Sequence, residues 1–264
     1  MTSATEAVGL LGAGVGAGIC GSVAGLASLA SYPALLATGL SPVAANVTNT
    51  VGLIGSSLGS VAGSRPELRG QRHRLRELVP ITLLGGVAGA ALLLLTPSSG
   101  FQKVVPFLIA GSAVLILVRP RLQAALDARR RRLRGEHHER PAGAPTPWAG
   151  RVAMFAVGAY GGYFGAGAGV MMLALLSLAT GEHLVRANAL KNVLLGVANA
   201  VAALGFAIFG PVHWLPAVLL GVGCVAGGYV GPAIARAVPP TVLRIVIGLA
   251  GLYLAVDLGI GAYT

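Results

Sequence analysis

Two glycine-rich stretches interrupt apolar runs that are long enough to enter a bilayer. One is Tyr160-Gly-Gly-Tyr-Phe-Gly-Ala-Gly-Ala-Gly169, and Gly16-Ala-Gly-Ile-Cys-Gly-Ser-Val-Ala-Gly25 is a weaker copy. Irregular backbone at membrane depth survives only where it lines a cavity or is buried in protein. Glycine breaks at matching places in two halves of a chain are a strong sequence indication of a transporter's binding site. We therefore expect the chain to fold around two broken helices.

The composition is that of an integral membrane protein. Hydrophobic residues make up 55% of the chain and charged residues 10%, whereas soluble domains have about 25% charged residues. Several apolar runs exceed the roughly 20 residues that a spanning helix needs. No basic residue precedes the first run, near residue 7, so a cleaved signal peptide is not expected. The predicted fold class is an all-α polytopic membrane protein.

A fixed offset of 142 residues superposes the two halves of the chain without a gap. It pairs Ala37-Thr-Gly39 with Ala179-Thr-Gly181, and Ala45-Asn46 with Ala187-Asn188. Two multi-residue blocks at one offset are hard to attribute to chance, even in a chain rich in glycine and alanine. The sequence therefore predicts an internal duplication.

Each repeat is predicted to contain a Gly-broken or re-entrant first segment followed by three transmembrane helices. The predicted units are a first transmembrane repeat, a basic cytoplasmic linker and a second transmembrane repeat, at residues 1–118, 119–150 and 151–264. The apolar segments are residues 7–36, 42–63, 78–95 and 104–118, then 152–178, 184–209, 215–237 and 242–260.

The net charge of +11 is explained by loops rather than by a nucleic-acid surface. Of 19 Lys and Arg residues, five lie in residues 65–76 and nine in residues 119–151, between apolar segments. This is what the positive-inside rule produces, and it predicts that both loops are cytoplasmic. We expect the lipid bilayer to be the partner of this chain, and we expect no nucleic-acid partner.

Two topologies compete for the broken segments. If each crosses the membrane once, as a long tilted helix, there are eight spans with both termini inside. If each is a re-entrant hairpin, the repeats have opposite orientations, and the turn at residues 209–212 lies outside with both termini. The charge bias favours the second topology, with inverted repeats.

Polar clusters follow both broken segments. The first is Asn46, Asn49 and Thr50, and the second is Asn188, Lys191 and Asn192. The spacing places each trio on one face of a helix. A pseudo-twofold axis would point the two faces at each other, so all six are candidate substrate-binding residues. Helix capping and interhelical hydrogen bonding are the alternative roles of the amides.

Lys191 is the most specific candidate, because an ionised side chain within a span usually faces a cavity or a partner. It could neutralise an anionic substrate or pair with Glu182. Alternatively, it could extend from the helix end to the lipid headgroups.

The glycines are candidates as well. Broken helices leave backbone N–H groups without helical partners, and the positive ends of their dipoles attract anions. Gly25, Gly165 and Gly167 are therefore predicted to contact the substrate. The alternative is that these small residues serve close helix packing.

Rival classes have less support. An enzyme would need a Ser–His or carboxylate pair at membrane depth. Serines occur in the apolar segments, but no histidine lies at the same depth, so we expect no enzyme. No cofactor or metal is expected, and Cys20 and Cys224, both in apolar segments, are expected to be free thiols. An anion channel, a permease for another small oxyanion and a non-transporting structural membrane protein stay open.

The residues resemble those of the sulfite exporter TauE/SafE family of membrane transporters. The resemblance is carried by residues 158–170, by Ala187-Asn-Ala-Leu-Lys-Asn192 and by Phe209-Gly-Pro-Val-His-Trp214 in the second half. In the first half it is carried by the glycines from Gly16, by Pro33-Ala-Leu-Leu and by Ala45-Asn46. It covers nearly the whole chain.

The resemblance implies a carrier in the cytoplasmic membrane that exports small sulfur-containing anions, such as sulfite or organosulfonates. It would work by alternating access of its two halves. The first Gly-rich stretch is poorer in glycine than the second, and Asn49 stands where the second half has Lys191. The two half-sites are therefore expected to be unequal. The oligomeric state stays open, and a homodimer is one possible assembly.

Overall fold

The computed structural model describes residues 4–136, 146–180, 184–237 and 240–263. Every regular element in these ranges is an α-helix. A helix satisfies its own backbone hydrogen bonds, which is what hydrocarbon requires of a spanning segment. The helices are α1 (Ala4–Ala24), α2 (Ala27–Ala37), α3 (Pro42–Gly63), α4 (Arg65–Leu68), α5 (Arg72–Leu95), α6 (Ser98–Glu136), α7 (Trp148–Tyr163), α8 (Ala168–Ala179), α9 (Leu184–Phe209), α10 (Trp214–Ala237) and α11 (Pro240–Tyr263).

Five helices in the described part of the chain contain stretches long and apolar enough to cross a bilayer. These stretches are Ala4–Ser22, Arg72–Leu95, Ser98–Val118, Val185–Phe209 and Trp214–Gly231. The all-helical, polytopic part of the fold prediction is therefore confirmed. The internal duplication and the inverted orientation stay predictions.

Glycine produces both helix breaks. Gly25 separates α1 from α2 with φ +73°, and Gly165 and Gly167 separate α7 from α8 with φ +81° and +76°. A left-handed backbone costs other residues about 1–2 kcal/mol but glycine very little. Gly25 and Gly167 are separated by the same 142 residues that superpose the halves.

The second broken segment is a hairpin rather than one kinked helix. A Cβ added to Gly150, near the start of α7, would lie 3.3 Å from the Cβ of Ala179, the last residue of α8. The chain therefore enters and leaves this segment at the same end, and the glycine turn forms the tip.

The first broken segment also reverses direction. α1 runs parallel to α10, because Gly14 faces Gly223 and Gly18 faces Gly228 at backbone contact. α3 runs parallel to α10 as well, since Gly52 faces Ala217 and Gly59 faces Tyr229. α1 and α3 therefore point the same way.

α2 runs opposite to α3. Ser31 donates a hydrogen bond to the side chain of Asn49, and the Tyr32 hydroxyl donates to the carbonyl of Pro42 at 3.3 Å. Residue numbers thus rise along α2 as they fall along α3. Since α1 and α3 are parallel, α1 and α2 form a second hairpin.

The two helices that follow the hairpins, α3 and α9, lie antiparallel. The Thr48 hydroxyl accepts a hydrogen bond from the backbone N–H of His213 at 3.0 Å, just beyond the end of α9. A Cβ added to Gly196 would lie 3.0 Å from the Cβ of Ser57. The beginning of α3 thus adjoins the end of α9.

Helix pairing follows a matched scheme. α1 packs mainly on α10, and α7 packs mainly on α5. Other close pairs are α3 with α10, α9 with α5, α6 with α11, and α3 with α9. Adding 142 to the bounds of α5 reproduces those of α10.

Candidate functional site

A polar cavity lies where the two hairpin tips meet α3 and α9. Its volume is about 60 Å³. Antiparallel packing brings the end of α3 to the beginning of α9 here, beside the breaks of both hairpins. The cavity is lined by Gly21, Gly25, Ala27, Ser28, Leu53, Ser56, Ser57, Ser60, Gly165, Gly169, Lys191, Asn192, Leu195 and Asn199.

The hairpin tips approach each other through backbone alone. A Cβ added to Gly25 would lie 2.5 Å from the Cα of Gly169 and 3.1 Å from the nitrogen of Val170. Real Cβ atoms do not come this close to backbone, so both positions need glycine. The first turns of α2 and α8 thereby reach the same cavity and bring N–H groups toward it.

Lys191 lies in the cavity wall and is 1% exposed. Its Nζ donates to the carbonyl of Gly21, in the last turn of α1, at 3.3 Å. The carbonyls at a helix C-terminus carry partial negative charge, which stabilises a cation there. In this structure the ammonium is inside the protein, which argues against the headgroup-facing alternative.

Asn192 adds a donor next to Lys191. Its side chain is 6% exposed and lines the cavity. Its Nδ2 has no hydrogen-bond partner among the described residues. A buried amide donor left without a partner costs about 1–3 kcal/mol, and that cost would be removed by an anion or a water in the cavity.

Asn46 and Asn188 each bind the end of the other half's broken helix. Asn188 Nδ2 donates to the carbonyl of Ser22 at 3.1 Å, near the end of α1. Asn46 Nδ2 donates to the carbonyl of Tyr163 at 2.9 Å, at the end of α7. Both amides thus satisfy carbonyls that the breaks leave without helical partners. Neither residue is in the cavity lining.

Asn49, Thr50 and Gly167 also lie outside the lining. Asn49 accepts the hydrogen bond from Ser31, and the Thr50 hydroxyl donates to the carbonyl of Asn46 at 3.0 Å within α3. A Cβ added to Gly167 would lie 3.4 Å from Ser112, on α6. The first polar cluster therefore makes structural contacts, whereas two members of the second one, Lys191 and Asn192, line the cavity.

A charged cluster pins the open end of the second hairpin to α5. The carboxylate of Glu77 accepts from the N–H of Thr146 at 2.8 Å and from Arg151 at 2.9 Å. The buried Arg74 lies 3.7 Å from the same carboxylate and donates to the carbonyl of Thr180 at 3.4 Å. The start of α7 and the end of α8 are thus both tied to α5, a helix of the first half.

A search against protein-family models matches the Sulfite exporter TauE/SafE model over residues 10–258. The chain belongs to the Sulfite exporter TauE/SafE family. The family resemblance stated from the sequence is thereby confirmed, over nearly the whole chain. Family membership and the five candidate spans make this a multi-pass membrane protein.

The chain is also similar to curated proteins that are named as probable membrane transporters. The chain is 29% identical over 249 residues to the "Probable membrane transporter protein ORF9" of Sinorhizobium sp, covering 92% of this chain and 88% of the relative. It is 28% identical over 218 residues to the "Probable membrane transporter protein YfcA" of Escherichia coli, covering 81% and 75%. A "Probable membrane transporter protein" of Haemophilus influenzae is 27% identical over 227 residues, covering 84% and 82%. No solved structure matches the chain.

Four of the nine substrate-binding residues predicted from the sequence line the cavity: Gly25, Gly165, Lys191 and Asn192. Sequence reasoning missed the hydroxyls of Ser28, Ser56, Ser57 and Ser60 and the amide of Asn199 as cavity residues. A signal for the α3 serines was present. Positions 49, 53, 56 and 60 recur every three or four residues and share one helix face.

Proposed function

We propose that this TauE/SafE member is a secondary transporter that exports small sulfur-containing anions, sulfite or organosulfonates, across the cytoplasmic membrane. The observation that carries the proposal is the pair Lys191 and Asn192 in one small cavity. A buried ammonium and an unpartnered amide N–H supply the charge and the donor that an oxyanion needs.

The rest of the lining fits an oxyanion. Hydroxyl groups of Ser28, Ser56 and Ser60 can donate to additional oxygens. The first turns of α2 and α8 bring backbone N–H groups, in the manner of anion sites at helix N-termini. A volume of about 60 Å³ suits an ion of a few atoms rather than a metabolite of drug size.

Inverted repeats are part of the proposal. They require equivalent helices of the two halves to run in opposite directions, and α3 and α9 do so. The matched pairings of α1 with α10 and of α7 with α5 support the same scheme. The basic loops at residues 65–76 and 119–151 would then be cytoplasmic, with both termini outside.

Alternating access would rock one half against the other around the cavity. Gly25 and Gly169 come from different halves and meet at the cavity, so movement between the halves would open or close it there. Export, rather than uptake, is inferred from the family alone.

Sulfite flux into liposomes tests the proposal. The wild type should give saturable flux that organosulfonates inhibit, and Lys191→Ala should abolish it. Lys103→Ala is the matched control, because Lys103 is an exposed lysine on α6. It should transport like the wild type.

Other results of the flux measurement would favour a different function or a different site. Non-saturating conductance without exchange of labelled sulfite at equal concentrations would identify a channel. Saturable flux that survives in folded Lys191→Ala would contradict the site. Absence of flux for every tested anion would contradict the transport proposal.

A further inference from the structure

We infer that four aromatic side chains, those of Tyr32, Phe101, Tyr163 and Phe164, form a gate that closes the cavity toward one face of the membrane. That face is the one at which α3 and α6 begin, and the predicted inverted topology makes it the outer face. The inference goes beyond the proposed function and rests on it, because a carrier that works by alternating access must close its substrate site on one side at a time.

The four rings form one cluster through three edge-to-face contacts. The ring centroids of Tyr32 and Phe164 lie 5.6 Å apart, those of Phe101 and Tyr163 5.7 Å, and those of Phe101 and Phe164 6.2 Å. Tyr32, Phe101 and Phe164 are 2%, 0% and 3% exposed, and Tyr163 is half-buried. Rings packed in this way exclude water and hydrated ions from the space that they fill.

The cluster is held at the beginning of α3. The Tyr32 hydroxyl donates to the carbonyl of Pro42, the first residue of α3, at 3.3 Å. Asn46, four residues farther along the helix, donates to the carbonyl of Tyr163 at 2.9 Å. Two of the four aromatic residues are thus hydrogen-bonded to the first two turns of α3.

The same cluster reaches from the cavity to the membrane face at which α6 begins. Phe101 lies in the first turn of α6, just after the turn that joins α5 to α6. Phe164 directly precedes Gly165, which lines the cavity. An anion that moved from the cavity to this face would therefore meet the rings.

The cavity itself lies nearer the opposite face. Ser60, one of its lining residues, is three residues from the end of α3, or about 5 Å along the axis. Leu53, the lining residue nearest the start of α3, is eleven residues from Pro42, or about 16 Å. Ser57 and Asn199 in the lining are half-buried, so the cavity is not sealed. We expect it to communicate with the face at which α3 ends.

The 142-residue offset pairs all four rings with small or aliphatic residues. The equivalents of Tyr32, Phe101, Tyr163 and Phe164 are, in this order, Ala174, Leu243, Gly21 and Ser22. The predicted inverted repeats place these positions toward the opposite face. The difference in side-chain size accounts for a packed cluster on one side and a cavity on the other.

Each of the three ring contacts joins the two halves of the chain. Tyr32 and Phe101 belong to the first half, whereas Tyr163 and Phe164 belong to the tip of the second hairpin. Movement of one half against the other would therefore separate the rings. This separation would open the cavity to the face at which α3 and α6 begin.

Cysteine accessibility tests the gate without requiring transport. Ser57→Cys places a thiol in the cavity wall, and Ser99→Cys and Arg72→Cys place exposed thiols at the gate face and at the opposite face. A membrane-impermeant methanethiosulfonate reagent is added to one side of oriented vesicles at a time. It should label Ser57→Cys from the side that labels Arg72→Cys, and not from the side that labels Ser99→Cys.

Truncation of a gate ring should make the labelling two-sided. With Phe164→Ala, the reagent should label Ser57→Cys from the gate face at least about tenfold faster than with the intact gate, because the closed state loses its ring contacts. Phe164→Leu is a milder change in the same direction. Phe209→Ala is the matched control, because Phe209 ends α9 and is 75% exposed. It should leave the labelling one-sided.

The outcomes separate a gate from a packing contact and from the function on which it rests. If folded Phe164→Ala and Phe164→Leu unfold at lower temperature but keep one-sided labelling, the rings serve packing and the gate is overturned. Labelling of Ser57→Cys from the gate face with all four rings intact, or from neither face, would also overturn it, and this result does not depend on the folding of a gate variant. Absence of sulfite flux in a protein that shows the expected labelling would overturn sulfite transport and leave the gate standing.

Discussion

Gly25 and Gly169 face each other with their backbones in contact, and a Cβ added to either would overlap the other. They belong to different hairpins, α1–α2 and α7–α8, and both line the cavity. At this point of the cavity the two halves therefore meet backbone to backbone. This contact gives the glycine-rich stretches a specific structural role.

Gly169→Ala should destabilise the protein by about 1–3 kcal/mol, because its Cβ would be forced into the backbone of Gly25. Transport should fall with it, since the tips shape the cavity. Gly205→Ala in α9 is the control, because an added Cβ there meets nothing within 4 Å. Thermal unfolding in detergent and flux in liposomes measure both effects. Wild-type stability and flux in Gly169→Ala would contradict the contact.

Asn46 is buried, with 0% exposure, and its amide donates to the end of α7. Asn46→Ala should lower the free energy of unfolding by about 1–3 kcal/mol, because the carbonyl of Tyr163 loses its donor. Asn46→Asp should cost more, since a carboxylate would face that carbonyl. Thermal unfolding of the two variants gives the order, and an aspartate variant as stable as the wild type would refute the bond.

Glu77 holds the open end of the second hairpin through Arg151, Arg74 and Thr146. Glu77→Gln should destabilise the protein by about 1–3 kcal/mol, because it removes the negative charge beside Arg74 and Arg151. Glu6→Gln, at an exposed position in α1, should change little.

Exchange of the charges gives a rescue test of the same cluster. Glu77→Arg alone should be more damaging than Glu77→Gln, since three arginines would then be close together. The double variant Glu77→Arg with Arg151→Glu should recover part of the stability. If the double variant unfolds as readily as Glu77→Arg alone, the ion pair is not what holds the hairpin.

Cysteine labelling separates the two topologies. Native Cys20 and Cys224 are buried, so a membrane-impermeant maleimide should report introduced cysteines against a low background. Inverted repeats predict that Ser99→Cys and Pro211→Cys are both labelled from outside in right-side-out vesicles, and that Arg72→Cys is protected. Protection of Pro211→Cys together with labelling of Ser99→Cys would favour eight spans.

Much of the fold could be predicted because the helices are limited by local signals. Ser41 caps α3 and Pro42 is its first residue. The bounds of α3 and α9 coincide with the predicted segments at residues 42–63 and 184–209. The hairpin breaks were marked by glycine. α6 was harder to bound, because it continues as a helix to Glu136, through the start of the predicted linker. The rest of that linker, residues 137–145, lies outside the described residues.

The site was less predictable, because sequence spacing assigns residues to a helix face but not to a cavity. The two polar clusters that follow the broken segments look equivalent in the sequence. In the structure, however, Asn49 accepts a hydrogen bond from Ser31. The position equivalent to Ser31 in the second half is Leu173, which cannot donate one. Lys191 reaches across to the other half and donates to the carbonyl of Gly21. The Glu77 cluster depends on contacts between residues about 70 to 100 positions apart, which spacing does not reveal.

Glu182 and His183, which the sequence places near Lys191, lie outside the described residues. The proposed ion pair of Lys191 with Glu182 therefore stays a prediction. Labelled-sulfite flux in Glu182→Gln addresses it: a pair that restrains the ammonium predicts tighter apparent sulfite affinity in the variant, and an unchanged affinity argues against it.

Sulfite binding to the purified protein tests the cavity most directly. Calorimetric titration in detergent should give saturable binding to the wild type and to Lys103→Ala. Folded Lys191→Ala should bind at least about tenfold more weakly, since a hydrogen bond to a charged group contributes about 1.5–3 kcal/mol. Asn192→Ala should show a smaller loss. Wild-type affinity in folded Lys191→Ala would contradict the account and place the anion elsewhere.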